Sequence, residues 1–283
     1  MRTGPDTAAW RVSHPGRLRR HVGMRIAIAG GTGTLGRHLT AELSSRGHEV
    51  RVLSRSAPEY RVDLATGEGL ESALRGCDVV VDASNNAGRK AASVLVDGTR
   101  RMLAVEQAAG VSHHVCMSIV GCDQLPMGYY RVKTDQENLV AQGPVPWTIV
   151  RSTQFHELVA KVFQAAARFR VLPAPRGLLQ PVAAAEVARY VAGVAEQPPR
   201  RGRPEVAGPE VTELRTLART WRSGTGRPLA LLPVYVPGQA GRALRAGTLT
   251  TGQAEAAGRV SFAAWLEAGA GAAVTARGGP DPR

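Results

Sequence analysis

The sequence predicts an α/β fold, in which a doubly wound parallel sheet is followed by a small C-terminal α/β cap. Three observations support this fold class. Apolar strands alternate with helical patterns from Met24 to Val150. The strands are continuously apolar, which is typical of parallel strands buried on both faces. A glycine-rich turn joins the first strand directly to the first helix.

The first half of the chain supplies the elements of the sheet in a regular order. Arg25–Ala29 is an apolar strand, and the helix after it carries Leu35, Leu39 and Leu43 on one face until Gly47 ends it. Further strands are predicted at 48–53, 60–64, 78–82, 114–119 and 147–150, with helices at 69–75, 91–109 and 129–142.

After Arg151 the alternation loosens, and connections rich in proline and glycine separate predicted helices at 155–169, 184–196, 211–221 and 262–267. We therefore predict a main domain over 24–153 and a smaller substrate-side cap over 154–268 that closes on the same fold. Residues 1–23 are expected to be a disordered basic tail or the product of a mis-annotated start, and 269–283 a flexible tail.

Composition excludes several classes of protein. With 43% hydrophobic and 21% charged residues, the 283-residue chain can bury a core and is not disordered. No apolar run reaches the ~18 residues of a membrane span. The three cysteines form no C-x-x-C pair, which argues against a disulfide framework or a zinc site. We therefore expect a cytoplasmic protein that binds neither membrane nor metal.

The net charge of +13 suggests nucleic acid as a partner at first sight. However, only Lys90, Lys133 and Lys161 are lysines, which leaves 33 of the 36 basic residues as arginine. This ratio is typical of a GC-rich genome, and the arginines are scattered rather than gathered on one face. A small-molecule substrate is therefore the expected partner, nucleic acid is not, and a homo-oligomer is compatible with the sequence.

The glycine-rich turn is the first candidate binding site. It lies between a strand and an amphipathic helix, with a second strand beyond, which is the context of a dinucleotide-binding fingerprint. Glycines let the backbone approach a pyrophosphate, and the helix N-terminus offers free N–H groups to it. The candidate cofactor-binding residues here are Gly30, Thr32, Gly33, Thr34, Leu35 and Gly36.

The end of the second strand favours NADP(H) over NAD(H). Enzymes that prefer NAD place an acid there to hold the ribose 2′-hydroxyl. Here Ser54 and Arg55 follow the apolar strand and no acid occurs before Glu59. Arg55, helped by Ser54 and Arg37, can instead pair with a 2′-phosphate. Ala83 and Ser84, at the end of the fourth strand, are also expected to line the cofactor cleft.

A Tyr-x-x-x-Lys motif begins the helix after the fifth strand. Tyr129 and Lys133 are four residues apart and so lie on one helical face. Such a tyrosine donates a proton to a carbonyl as hydride arrives, while the lysine lowers the tyrosine pKa and binds the nicotinamide ribose. Ser118, at the carboxyl end of the fifth strand, is placed to hydrogen-bond the same carbonyl. We predict Tyr129, Lys133 and Ser118 as catalytic residues.

These motifs resemble the atypical short-chain dehydrogenase/reductase group, which includes NmrA-like proteins and NAD(P)H-binding quinone reductases. The resemblance covers nearly all of 24–267 and implies an extended Rossmann fold with the NAD(P)-binding domain over 24–153. It further implies that Asp63 binds the adenine amino group. The motifs that carry it are Gly30–Gly36, Ser118–Gly121, Gly128–Lys133 with Glu137, Pro146–Arg151, Ala207–Glu210 and Phe262–Leu266.

Other residues near these motifs receive weaker interpretations. Asn85 and Asn86 begin an Asn-Asn-Ala-Gly sequence found in classical members, but it stands too far beyond the strand, so we interpret it as a turn. Val120, Gln154 and Phe155 are candidate substrate contacts because their strands end beside the nicotinamide in this fold. His113, His114 and His156 have no metal-site spacing and are interpreted as structural.

The leading functional hypothesis is an NADPH-dependent oxidoreductase that acts on a small carbonyl or quinone-like compound. An alternative is a non-catalytic NADP(H)-sensing regulator, since the resembling group includes both kinds of protein. A nucleotide-sugar epimerase or dehydratase is a third hypothesis, although those enzymes usually have a larger substrate domain than this chain offers.

Overall fold

The structure is a computed structural model that describes residues 23–125 and 127–269. The tails predicted at 1–23 and 269–283 lie outside the described residues, apart from Gly23 and Gly269.

Strands and helices alternate through the first half of the described chain, as predicted. Within the described residues the strands are β1 (Arg25–Ala29), β2 (Glu49–Ser54), β3 (Tyr60–Arg61), β4 (Val79–Asp82), β5 (His113–Ile119), β6 (Trp147–Ser152), β7 (Val171–Pro175), β8 (Leu178–Leu179), β9 (Glu205–Ala207), β10 (Thr212–Glu213), β11 (Ala230–Val234) and β12 (Ala256–Ala257). The α-helices of the same residues are α1 (Thr34–Ser45), α2 (Leu70–Leu74), α3 (Gly98–Ala109), α4 (Gly128–Gln142), α5 (His156–Ala167), α6 (Ala184–Ala195), α7 (Leu214–Thr225), α8 (Gly238–Arg245) and α9 (Phe262–Glu267).

The main sheet has eight strands in the order β12-β9-β6-β5-β4-β1-β2-β3, and every neighbouring pair is parallel. The chain starts in the middle of the sheet at β1, winds outward through β2 and β3, and then returns to build the other side from β4. This doubly wound arrangement confirms the predicted fold class. It brings the ends of β1 and β4 together at the point where the winding reverses, which is where such folds bind ligands.

Two apolar layers cover the sheet because each buried strand is apolar on both faces. Ile26 and Ile28 of β1 pack against α1 and α6, whereas Ala27 and Ala29 pack on the side of α2, α3 and α4. A third cluster lies within the C-terminal part, where Phe163, Trp221 and other large side chains join α5, α7 and α9. The aromatic content of that third cluster lets a small segment bury enough area to hold its shape.

Several predicted boundaries differ from the structure. The strand predicted at 60–64 spans only Tyr60–Arg61, and the helix predicted at 91–109 is divided into a π-helical turn at Ser93–Asp97 and α3. The helix predicted at 211–221 begins later, at Leu214, because Thr212 and Glu213 pair with β8 as a short antiparallel strand.

The region predicted as a cap contributes to both parts of the molecule. Its α6 packs on α1, and its β9 and β12 extend the main sheet beyond β6. The remaining elements, among them the two-stranded pairs β10-β8 and β11-β7, form a smaller body at the carboxyl ends of the main strands. Among the described residues, none of the helices combines the length and apolar character that crossing a bilayer requires.

Candidate functional site

The turn between β1 and α1 is closed by backbone contacts that only glycine allows. Gly30 has a φ of +74° and lies so close to the end of β4 that a Cβ would stand 2.8 Å from the carbonyl oxygen of Ala83. A Cβ at Gly36 would overlap the carbonyl oxygen of Gly30. The predicted residues of the glycine turn and the predicted Ala83 and Ser84 therefore meet at one edge of the sheet.

The N-terminus of α1 offers backbone donors to a ligand. Gly33 is the capping residue and has no side chain to accept from the first turn, and no acidic residue occurs in that turn. The amides of Thr34, Leu35 and Gly36 thus have no intrahelical acceptor and carry the positive end of the helix dipole. This arrangement fits the pyrophosphate of a dinucleotide.

A lysine that the sequence did not point to lies at this same terminus. The ammonium of Lys161, on α5, is 3.4 Å from Thr34 Oγ1. It adds a positive charge beside the free amides of α1. No motif contains Lys161, and the contact arises because α5 folds back over the start of α1, across 127 residues of sequence.

The two arginines predicted to select NADP(H) are exposed at the ends of α1 and β2. Arg37 donates to the carbonyl oxygen of Thr32 over 2.7 Å, which holds its guanidinium beside the glycine turn. Arg55 is exposed, and Ser54 Oγ accepts from the amide of Ser56. Asp63, the predicted adenine contact, accepts from the amide of Ala65 and so stabilises its own turn.

Tyr129 lies in the first turn of α4 and reaches across to the loop after β4. Its hydroxyl donates to Asn85 Oδ1 over 2.6 Å. Burial raises the pKa of Tyr129 to about 12, and the neighbouring Tyr130 adds to that rise. At neutral pH the phenol therefore holds its proton. The structure brings Asn85 into the candidate site, although its offset from the strand had led us to interpret it as a turn residue.

Lys133 is buried beneath Tyr129, with 3% of its surface exposed. Its ammonium donates to the carbonyl oxygen of Met117 over 2.7 Å and to Gln136 Oε1 over 2.6 Å. Gln136 in turn donates to Asp82 Oδ2 over 2.9 Å. Among the described residues, none of the hydrogen bonds of Lys133 goes to Tyr129. The ammonium is therefore linked through one amide to a carboxylate of the core.

Asp82 stands at the centre of this buried network. Its carboxylate accepts from the amide of Ser84, from Thr99 Oγ1 and from Gln136 Nε2. His114, Cys116 and Asp82 have ligand atoms within 4.8 Å of one another, a cluster that sequence spacing did not predict. Since protein donors already satisfy both oxygens of Asp82, we interpret the cluster as part of the hydrogen-bond network.

His114 is held by Glu106, and both side chains are fully buried. Its Nδ1 lies 2.9 Å from the Glu106 carboxylate. Burial alone would lower the pKa of His114, but the Glu106 carboxylate raises it well above its usual value. For the adjacent His113 burial lowers the pKa to about 4. The pKa values of the two histidines thus move in opposite directions, because the Glu106 carboxylate acts on His114 whereas burial dominates at His113.

Ser118 is buried near the carboxyl end of β5, on the same face of the strand as His114 and Cys116. Its hydroxyl lies 3.7 Å from the Cys122 thiol, and that thiol donates to Glu137 Oε1 over 3.3 Å. Glu137 also receives Arg151 at 2.7 Å and Arg203 at 3.0 Å. Burial alone would raise the pKa of Glu137, but the hydrogen bonds it accepts, first that of Arg151, lower it overall.

The predicted substrate residues make contacts within the protein. Val120 is buried, and Phe155 packs against the core layer of α1 and α6. Gln154 uses both ends of its amide, because Oε1 accepts from the amide of Gln180 and Nε2 donates to the carbonyl oxygen of Leu249. Gln180 itself accepts from the amide of Thr251 over 2.9 Å. We call Gln154 and Gln180 the glutamine clamp, since together they join β6 to the C-terminal segment.

Comparisons with known proteins agree with this geometry. The family described as NAD(P)H-binding matches residues 30–198, more than half of the chain. A curated relative, the 4-hydroxy-2-methyl-3-oxo-4-farnesyl-3,4-dihydroquinoline-1-oxide ketoreductase of Stigmatella aurantiaca, is 31% identical over 169 residues, which is 47% of this chain and 50% of the relative. The chain spans 12–50% of the length of the curated relatives it matches.

Solved structures share the fold. A nucleoside-diphosphate-sugar epimerase of Staphylococcus aureus gives a TM-score of 0.71 at 17% identity, with 86% of this chain and 100% of that chain covered. An NADPH-dependent quinone oxidoreductase of Escherichia coli, in complex with NADPH, gives a TM-score of 0.67 at 19% identity, with 86% of this chain and 99% of that chain covered. The chain belongs to the NAD(P)H-binding family, which agrees with the resemblance to atypical short-chain dehydrogenases/reductases stated from the sequence.

Proposed function

We propose that the protein is an NADPH-dependent reductase of a small carbonyl or quinone-like compound. The observation that carries the proposal is the position of Tyr129. Its protonated hydroxyl stands at the carboxyl edge of the sheet, bonded to the loop after β4 that also touches the glycine turn. A proton donor is thus joined to the dinucleotide-binding edge.

The residues of the first half are suited to hold the cofactor. The free amides of α1 bind the pyrophosphate, and Ala83 and Ser84 flank the glycine turn. Arg37 and Arg55 support a preference for NADP(H) over NAD(H). Arg55 is exposed directly after β2, where NAD-specific proteins carry an acid, and Arg37 is exposed beside the glycine turn. When bound, the reduced nicotinamide supplies the hydride.

Tyr129 supplies the proton. As a carbonyl becomes an alkoxide, its oxygen takes the proton from Tyr129 Oη, and solvent later returns one to the tyrosinate. Asn85 holds the phenol in place until a substrate oxygen replaces it as acceptor. Lys133 carries three N–H donors, and the structure assigns acceptors to two of them. We propose that the third serves the nicotinamide ribose and that Ser118 supports the carbonyl.

A second candidate function is an NADP(H)-sensing regulator without turnover. It is favoured by the interior contacts of Lys133 and by the burial of Ser118 against Cys122. A protein of this kind would need the nucleotide site and not the proton donor. All three cysteines are free and buried, which supports our proposal of a reducing, cytoplasmic setting for either function.

The test is a titration of the purified protein with NADPH and NADH, followed by nicotinamide fluorescence. A panel of quinones and ketones is then added, and NADPH oxidation is followed by absorbance. Tight NADPH binding with oxidation on any panel member supports the reductase. Tight binding without oxidation across the panel favours the regulator. If neither nucleotide binds, both proposals are wrong.

A further inference from the structure

A second pocket lies in the C-terminal body, apart from the glycine turn. Its cavity has a volume of about 450 Å³ and is formed by the ends of β7 and β11 together with α7 and α8. Cavities of ~300–1,000 Å³ are typical of small-molecule sites. This pocket was not predicted, because β7, β8, β11 and α8 were not predicted as elements.

Three arginines converge on this pocket: Arg176 after β7, Arg215 on α7 and Arg245 on α8. Among residues 23–125 and 127–269, none of the three forms an ion pair with a carboxylate. Arg245 donates to the carbonyl oxygen of Val236 over 3.2 Å and lies over the ring of Tyr235. The pocket therefore brings together three guanidinium groups, and its lining includes no acidic residue from the part of the chain that the structure describes.

Other partly buried arginines of the molecule are neutralised. Arg46 pairs with Glu42 and Glu196, and Arg151 pairs with Glu137. Arg215 and Arg245 are also only partly exposed, yet they lack such partners. Removing cations from water without a counter-ion is unfavourable, and a bound anion removes that cost.

The walls of the pocket are apolar. Val234 and Tyr235 are 38% and 75% exposed, and the buried Ala174 also lines the pocket. Together with the arginines they form a surface with an apolar part and a cationic part. Guanidinium groups pair with planar oxyanions through two parallel hydrogen bonds, and an exposed tyrosine ring packs well on an aromatic or aliphatic body.

The pocket is anchored to the candidate functional site through the segment after α8. The carbonyl oxygen of Leu249 accepts from Gln154, and the carbonyl of Thr248 lies so close to Gly121 that no Cβ fits between them. A ligand held by Arg245 thus sits on a segment fixed to the ends of β5 and β6.

We propose that this pocket binds an organic anion with an aromatic or apolar body, bearing a carboxylate, sulfonate or phosphate group. The proposal does not depend on turnover or on the cofactor, because the pocket is complete without the glycine turn. The probe is 8-anilinonaphthalene-1-sulfonate, whose fluorescence rises on binding, and the uncharged N-phenyl-1-naphthylamine serves as its neutral counterpart.

The critical variant is the double substitution Arg215→Gln/Arg245→Gln. Its control is Arg219→Gln/Arg242→Gln, which removes the same charge from exposed positions of the same two helices outside the pocket. We expect one saturable site for the sulfonate, an affinity at least about 10-fold lower in the pocket variant, and little change in the control. Binding of the neutral probe should be equal in all three proteins.

An equal loss in both double variants would show a net-charge effect and overturn the proposal, as would unchanged sulfonate affinity in the pocket variant. Circular dichroism checks that both variants fold. If the pocket variant does not fold, Arg176→Gln replaces it, since that side chain is exposed. Weaker binding of the sulfonate at its one site in Arg176→Gln then supports the proposal, and unchanged sulfonate affinity overturns it.

Discussion

The candidate site has two halves that differ in how their polar groups are used. In one half the polar groups are open to a ligand, and in the other they are bonded within the protein. Around the glycine turn, donors point outward: the first amides of α1 are uncapped, and Arg55 is exposed at the end of β2. Around the Tyr-x-x-x-Lys motif, polar groups are used within the protein. Lys133 bonds to Met117 and Gln136, and Tyr129 bonds to Asn85.

We call the region of the glycine turn the binding half and the region of the Tyr-x-x-x-Lys motif the proposed catalytic half, and we expect nucleotide binding and the proposed chemistry to be separable. In the binding half the first amides of α1 are preorganised, because they have no acceptor within the helix and a ligand that binds them breaks no hydrogen bond of theirs. In the proposed mechanism a substrate oxygen replaces Asn85 as the acceptor of the Tyr129 proton. A mutation in one half should therefore leave the function of the other half largely intact.

The largest expected effect is a loss of NADPH oxidation without a loss of NADPH binding. Tyr129→Phe removes the proton donor, and we expect NADPH oxidation to fall by about 10²–10⁴-fold while NADPH affinity stays within about 2-fold. Tyr130→Phe, at the next position of α4, is the control and should keep its rate. Steady-state kinetics and nicotinamide fluorescence measure the two quantities. Full turnover in Tyr129→Phe would remove Tyr129 from the mechanism.

The same residue sets a pH dependence. The raised pKa of about 12 keeps the phenol protonated, so the contribution of Tyr129 as an acid is lost only as the pH rises through that value. We expect the reduction rate to show no loss from this group between about pH 6 and 9. A fall with a midpoint near about pH 7.5 that disappears in Tyr129→Phe would mean that Lys133 lowers the tyrosine pKa.

The next largest effect is a loss of NADPH affinity caused by a change in the glycine turn. Gly36→Ala places a methyl group against the Gly30 carbonyl and forces the turn apart, so NADPH affinity should fall by about 100-fold or more. Gly193→Ala is the control, because a methyl group there meets nothing within 4 Å. Both affinities come from the fluorescence titration. Wild-type NADPH affinity in Gly36→Ala would show that the turn does not contact the nucleotide.

Substitution of Lys133 measures how much the buried hydrogen bonds of the proposed catalytic half contribute to the free energy of unfolding. Lys133→Met leaves the buried acceptors of Met117 and Gln136 without a donor, so the free energy of unfolding should fall by about 1–3 kcal/mol. Lys90→Met, at an exposed position, should leave it unchanged. Urea unfolding of both variants provides the comparison. An unfolding free energy equal to wild type in Lys133→Met would mean that the interior bonds contribute little.

The smallest effect concerns the choice of nucleotide within the binding half. Arg55→Ala should weaken NADPH binding by about 10-fold and leave NADH binding unchanged, because only NADPH carries the 2′-phosphate. Arg75→Ala, an exposed arginine before β4 at the opposite edge of the sheet, is the control. The measured quantity is the ratio of the two dissociation constants. An equal loss of affinity for NADPH and NADH would show that Arg55 does not contact the 2′-phosphate.

Strands β1 to β6 of the main sheet were predicted, and the signal is clearest where both faces are buried, as in the valine run of Val79–Asp82. β9 and β12 of the same sheet were missed, and β9 has only three residues. The strands that were missed lack this signal. β8, β10 and β12 have two residues each, and β7 and β11 contain prolines, which usually argue against a strand. Those two strands tolerate proline because they pair only with each other, each as an edge strand.

In the candidate site, the glycine turn could be identified because its chemistry depends on backbone and local spacing. The partners of Lys133 and Tyr129 could be only partly anticipated. The spacing of Lys133 and Gln136 places them on one helical face. Asp82, however, reaches α4 from the end of β4, and Asn85 reaches it from the loop that follows. Contacts across 44 residues or more depend on how the layers pack, and one sequence does not contain that information.

The glutamine clamp determines how the C-terminal segment can move away from the sheet. Opening the C-terminal segment as a lid would break the bonds from Gln154 to Leu249 and from Gln180 to Thr251 together. The segment and the sheet should therefore open in one cooperative event rather than by independent fluctuation. The backbone hydrogens of Gln180 and Thr251 should then exchange with solvent at nearly the same slow rate, although 71 residues separate them in the chain.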